Sequence, residues 1–233
     1  MPKWQRSSLG DINLAVLSAT TSTSSGNIIG IVTGSLVKVL RLSTMGWWGS
    51  NWIEWDQYGQ SIELSSKIDS LVISDDGLTF ATQYCISQSD KDAVKIFNYN
   101  DANGTWVQYG DEIIGNDSCS LSSKSLSMSS NGKVISIGTK LNSSILVRIL
   151  EREYILWYGD WIENSFSIQD SVASCHDDNI CDSLPMSLSS KGDLLAVGIK
   201  GEKEILLFLD CTNVYYSSHV TKFKCSNSLS QIR

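Results

Sequence analysis

The stretch SCHDDNIC at 174–181 holds the densest set of side chains able to do chemistry. Cys175 and Cys181 offer two thiols, His176 an imidazole, and Asp177 and Asp178 two carboxylates. Zinc would take the thiolates and the imidazole, but no second cysteine pair or histidine completes a familiar ligand spacing nearby. An inserted surface loop is the plainer reading, with Cys175 and Cys181 as a local disulfide pair. The alternative is that these two, with Cys85, Cys119, Cys211 and Cys225, are six reduced and mostly buried thiols. Nucleophilic catalysis needs a base beside a Ser or Cys. His176 and His219 are the only histidines, and no G-x-S-x-G elbow accompanies them. Asp75–Asp76 sits in a turn signal, where carboxylates satisfy backbone groups rather than move protons. The glycines of MGWWGSNW at 45–52 lack the lysine of a phosphate loop. The sequence therefore predicts no catalytic residue, no metal and no cofactor.

A second unusual stretch is GWWGSNWIEW at 46–55. Trp52 reads as a strand residue that packs between layers. Trp47 and Trp48 read as residues of the preceding turn, where exposed Trp serves as a binding anchor. Extra packing against a neighbouring layer is the competing explanation. The expected partner surface is thus Trp47, Trp48, His176, Asp177 and Asp178.

Charged residues make up 18% of the 233-residue chain and the net charge is −7, which disfavours nucleic acid and anionic membranes as partners. The most apolar stretch, IIGIVTGSLVKVLRL at 28–42, is too short to span a bilayer and is broken by Lys38 and Arg41. MPKWQRSSLGDINLAV lacks the apolar core of a signal peptide. The chain as given reads as soluble, with its compartment open. Sequons occur at Asn103, Asn116 and Asn142, and serine is common enough for chance to supply them.

These residues must be positioned by a repeat. Turn glycines preceded by Ser, Thr or Asp recur in TSSG, SDDG, SSNG and SSKG, ending at Gly26, Gly77, Gly132 and Gly192. A second set of glycines, Gly10, Gly59, Gly110 and Gly159, is spaced by 49, 51 and 49 residues, with Trp4, Trp52, Trp106 and Trp157 upstream. Each unit reads as four short strands. In SLSMSSNGKVISIG, Leu126 and Met128 alternate with serines, SSNG makes a hairpin, and KVISIGT follows. A third strand comes next (SLVKVLRL, DAVKIFNY, ILVRILE, EILLFLD), then a turn such as NDANGT and a fourth strand, WVQYG. ILVRILEREYIL at 145–156 comes nearest to a helical period, but its counterparts are β-branched.

Four antiparallel strands every fifty residues or so is the pattern of a propeller blade. The units resemble β-propeller repeats of the WD40-like and FG-GAP-like kind, in a W-x-Q-x-G variant carried by WVQYGDEI, SLSMSSNGKVISIG and ILVRIL. Departures are plain. The Gly-His of WD40 repeats is missing, Trp55-Asp56 lies off the expected place, and NYNDANG has too few carboxylates for a calcium loop. The resemblance implies an all-β repeat domain over 1–210 with a tail at 211–233. Its four blades would be closed by the N-terminal strand, or would form part of a larger propeller or assembly. Open sheet edges would favour oligomers.

For function, the first expectation is a non-catalytic module that binds another protein. The second is a carbohydrate-binding or glycoside-hydrolysing propeller, which needs Asp111, Glu112, Asp117, Asp170 or Asp177 to converge. The third is a structural subunit of an assembly.

Overall fold

A computed structural model describes residues 19–47, 50–118, 125–141, 144–155, 158–168, 185–199 and 204–209. Alternating apolar and polar residues and the four turn signals produce four antiparallel sheets, and no helix occurs among the described residues. The first sheet orders β1 (Ala19–Ser22), β2 (Ile28–Thr33), β3 (Leu36–Trp47) and β4 (Ser50–Gln57), with β5 (Ile62–Glu63) paired to the start of β3. The second orders β6 (Ile68–Ile73), β7 (Thr79–Ile86), β8 (Lys91–Asn100) and β9 (Thr105–Gln108), with β10 (Ile113–Ser118) also paired to β8. The third contains β11 (Ser125–Met128), β12 (Val134–Leu141), β13 (Ser144–Ile155) and β14 (Tyr158–Ile168). In the fourth, β15 (Met186–Leu188), β16 (Leu194–Ile199) and β17 (Glu204–Leu209) are described. The expected all-β, propeller-like architecture is present, in sheets with five, five, four and three described strands. The strand proposed to close the ring, in residues 1–18, and the tail at 211–233 lie outside the described residues.

The first strand of each sheet is innermost: β1 packs on β6, β6 on β11, and β11 on β15. The sheets therefore stack face to face around one side, and each interface is an apolar core. Val32, Val37 and Val39 of the first sheet meet Ile68, Leu71, Phe80, Tyr84 and Trp106 of the second. Ala81, Val94 and Ile96 then meet Leu126, Ile135, Ile137 and Leu150 of the third. Central strands are covered on both faces, which is why β7 (TFATQYCI) is buried along its first six residues. At Gly30 an added Cβ would stand 2.7 Å from the Leu71 side chain, so glycine permits the close approach of β2 to β6.

Residues 145–155 form strand and not helix. Ile145, Val147 and Ile149 are β-branched, and β13 pairs with β12 on one side and β14 on the other.

The hairpin joining the first two strands of each sheet is built alike. In the second sheet Ser74 N–H donates to the Thr79 carbonyl (2.8 Å), Thr79 N–H to Ser74 Oγ (3.0 Å), and Gly77 N–H to the Ser74 carbonyl (2.9 Å). Ser129 repeats this with Val134 and Gly132, and Ser189 with Leu194 and Gly192. Thr23 does so with Ile28 and Gly26. The glycines have φ near +70° (+69°, +70°, +66° and +80°), the region a hairpin of this kind demands.

Candidate interaction surface

A surface can be built from the first sheet outward. β2 pairs with β3 from Leu36 to Arg41, and the Leu42 N–H donates to the Asn27 carbonyl. From Ser43 onward β4 is the only described strand beside β3, in a register running from Ser43↔Glu54 to Trp47↔Ser50. Residues 43–47 and 50–54 thus form a two-stranded ribbon that extends beyond the sheet by roughly 15 Å at the usual rise per strand residue. Ile53 on this ribbon is 61% exposed, the largest exposure of any described bulky apolar residue.

The ribbon corrects the placement of Trp47. The sequence puts it in a turn, whereas it is the last residue of β3, paired with Ser50. β3 runs on through Thr44, Met45 and Gly46 to Trp47, leaving two residues for the turn. Trp48, one of those two, lies outside the described residues, as do Cys175, His176, Asp177, Asp178 and Cys181. Of the expected set, Trp47 alone falls on a described element.

The carboxylates of the carbohydrate reading are described only in part. Asp111 is exposed, Asp117 falls in β10, and Asp170 and Asp177 lie outside the described residues. Glu112 accepts the Tyr84 hydroxyl and lies 3.9 Å from Lys95 Nζ, so packing contacts occupy it. Asp76 accepts Ser74 Oγ (2.5 Å) and the Leu78 N–H (2.9 Å). Asp75 joins three turns instead of one: its Oδ1 accepts the Ser24 N–H (2.9 Å) and its Oδ2 the Ser130 hydroxyl (2.5 Å). These bonds, the Ser130 hydroxyl foremost, hold the Asp75 carboxyl below its ordinary range. Among the described residues no three His, Cys, Asp or Glu side chains are grouped to hold a metal, and no helix is long and apolar enough to cross a membrane. Cys85 is disulfide-bonded, with its partner outside the described residues, so six reduced thiols do not describe this chain.

The tryptophans also separate into roles. Trp106 is 3% exposed, its Nε1 donates to the Tyr58 carbonyl (2.7 Å), and the Gln60 amide brackets its backbone with two 2.7 Å bonds. Tyr58 stacks on Tyr99 at 4.0 Å and meets Trp106 edge-on at 5.9 Å, with Arg41 over its ring at 4.6 Å. Burial pushes the Tyr58 phenol up, aided by Tyr99 and Asp101 and opposed by Arg41. Trp161 occupies the same place one sheet on: it meets Tyr109 edge-on at 6.2 Å, and Arg152 lies 4.0 Å over that ring. Pairing confirms the equivalence, with Leu42↔Trp55, Tyr99↔Trp106 and Arg152↔Trp161. The repeating tryptophans are therefore Trp55, Trp106 and Trp161, while Trp157 lies outside the described residues. Gly159 likewise is a β14 residue paired with Tyr154, and does not take the place of Gly59 and Gly110. WDQYG at 55–59 beside WVQYG at 106–110 carries the correct register, and Gln57 and Gln108 each donate to the carbonyl of the following glycine, Gly59 and Gly110.

Comparison with solved structures supports the propeller-type fold. A protein described as a candidate 6-phosphogluconolactonase from Bacteroides uniformis is 14% identical, with a TM-score of 0.50 over 83% of this chain and 50% of that one. Kuenenia stuttgartiensis hydrazine synthase is 16% identical (TM-score 0.45, 83% of this chain, 64% of that one). Sqt1 from Chaetomium thermophilum is 13% identical (TM-score 0.43, 82% and 55%). The chain spans between half and two thirds of the length of these structures. No protein-family model and no curated relative matches the sequence. At these identities the likeness concerns fold alone.

Proposed function

We propose that the chain is a non-catalytic protein-interaction module whose contact element is the β3–β4 ribbon. The observation that carries this reading is the ribbon itself: two strands extending beyond their sheet, with Ile53 exposed and Trp47 at the end of β3. A two-stranded hairpin is marginal alone in water, so an apolar one is stabilised by lying against another surface. The partner is another protein, since the net charge of −7 opposes binding to nucleic acid.

The test replaces residues 44–53 by a two-residue turn and compares the trimmed and full chains as bait in extract of the source organism. Circular dichroism checks that both remain folded. A defined protein captured by the full chain and lost on trimming is the expected result. Equal capture by both chains removes the ribbon from the function, and self-association lost on trimming makes the partner a second copy.

A further inference from the structure

The turn between β8 and β9, Asp101–Gly104, holds the sequon Asn103-Gly104-Thr105 at the outer edge of the second sheet. Its backbone is satisfied from within by one residue. Asn100 accepts the Gly104 N–H (2.8 Å) and the Asn103 N–H (3.2 Å) on its carbonyl, and the Ala102 N–H (3.0 Å) on Oδ1. The Asn103 side chain takes no part in this and is exposed, as are Asp101 and Ala102 before it. β9, which follows, pairs only with β8, so no described strand lies outside the turn. Gly104, at φ +65°, presents no side chain between the asparagine and Thr105. Asn116, by contrast, sits within β10, and Asn142 lies outside the described residues.

We propose that Asn103 is an acceptor for an N-linked oligosaccharide. In the transfer, Asn103 Nδ2 bonds to the anomeric carbon of a lipid-pyrophosphate-linked oligosaccharide, that carbon's bond to the pyrophosphate oxygen breaks, and Nδ2 loses one proton. The lipid pyrophosphate is the leaving group. An independent observation fits the same compartment: Cys85 is disulfide-bonded, and disulfides persist where N-glycosylation occurs, in an oxidising lumen. The glycan would project from the rim of the second sheet, away from the cores between sheets.

The full chain is expressed behind a cleavable secretion leader in cultured eukaryotic cells, and the protease-protected chain is mapped by peptide mass spectrometry before and after peptide N-glycosidase F. Asn103 converted to Asp by the enzyme is the expected result. The corresponding mass increment should vanish in Asn103→Gln and Thr105→Ala and return in Thr105→Ser, which keeps the sequon. Protected chain with unmodified Asn103, or an increment that follows only Asn116 or Asn142, overturns the proposal. So does a chain that a working leader cannot carry into the lumen.

Discussion

At the inner edge, Thr23, Ser74, Ser129 and Ser189 do the same work in four sheets: a hydroxyl accepts one N–H, the backbone closes the hairpin, and a glycine takes positive φ. At the outer edge the described sheets diverge in how far the flanking strands run. In the first, β4 and β5 share the flank of β3 and the ribbon runs on past it. In the second, β9 and β10 share the flank of β8, while in the third β14 runs unbroken along β13 from Tyr158 to Ile168. The inner turns meet each other, Asp75 N–H donating to the Ser130 carbonyl (2.8 Å) and Ser130 N–H to the Ser190 carbonyl (2.9 Å), so a change in one strains the next. The outer strands answer to fewer neighbours. Variation collects where packing tolerates it, and the proposed contact element and glycan site both lie there.

The sharpest way to break this contrast is to strike an outer residue that is nonetheless buried. Trp106→Ala removes a fully packed indole and its bond to the Tyr58 carbonyl, and should cost about 3–5 kcal/mol. Trp161 is only half-buried in the equivalent place, so Trp161→Ala should cost about half as much. Urea midpoints of the two variants measure the difference. Equal losses would mean that the first and second joints are equally tight.

The next effect sets one inner turn against another. Gly26 and Gly132 share positive φ, so alanine at either costs about 1–2 kcal/mol of backbone strain. A Cβ at Gly26 meets nothing within 4 Å, but at Gly132 it stands 2.7 Å from Thr79 Cβ and Oγ1 and 3.2 Å from Ser74 Cβ, atoms of the neighbouring turn. Gly132→Ala should therefore exceed Gly26→Ala by about 1–3 kcal/mol, the usual cost of overpacking. Thermal unfolding of both variants checks it, and matching losses would show that the turns move independently.

A smaller effect comes from the hydroxyl. Ser129 is 1% exposed, and Ser129→Ala strands the Val134 N–H, at about 1–2 kcal/mol. At Ser189, less buried, water can replace the lost partner and the cost should fall below that. Denaturation midpoints of the pair separate a buried bond from a hydrated one.

This asymmetry also governs how far the fold shows in the sequence. TSSG, SDDG, SSNG and SSKG are legible because each turn needs a hydroxyl or carboxylate and a glycine at fixed offsets. The strands that follow are legible because burial on both faces demands apolar runs. The outer register is not legible from glycine spacing alone. WYGDWI offers Trp157 and Gly159 at the expected interval, yet Trp161 takes the packed place because Arg152, across from it, covers Tyr109. The length of β3 was hidden as well, since a hairpin of two-residue loop in GWWGSN looks like a longer turn until pairing is counted. Of the candidate surface, the tryptophan cluster was visible and the ribbon that carries it was not.

The smallest predicted effect tests whether charge helps join the inner turns. Asp75 bridges Ser24 and Ser130, whereas Asp193 accepts Ser189 Oγ (2.6 Å) within its own turn. Both carboxyls are held below their ordinary range, chiefly by those hydroxyls. A carboxylate with a depressed folded pKa stabilises fully above its unfolded pKa and loses that contribution as pH falls through the folded value. Asp75→Asn should thus be slightly less stable than the native chain at neutral pH, and the gap should close as pH drops below the ordinary carboxylate range. Asp75 is exposed, so solvent keeps the gap small. Asp193→Asn, which breaks no contact between sheets, should show a smaller gap still. Urea midpoints at a series of pH values read both. If the Asp75 gap stays constant into acid, the side chain joins the turns through shape and neutral hydrogen bonding, and the charge contributes nothing to the belt.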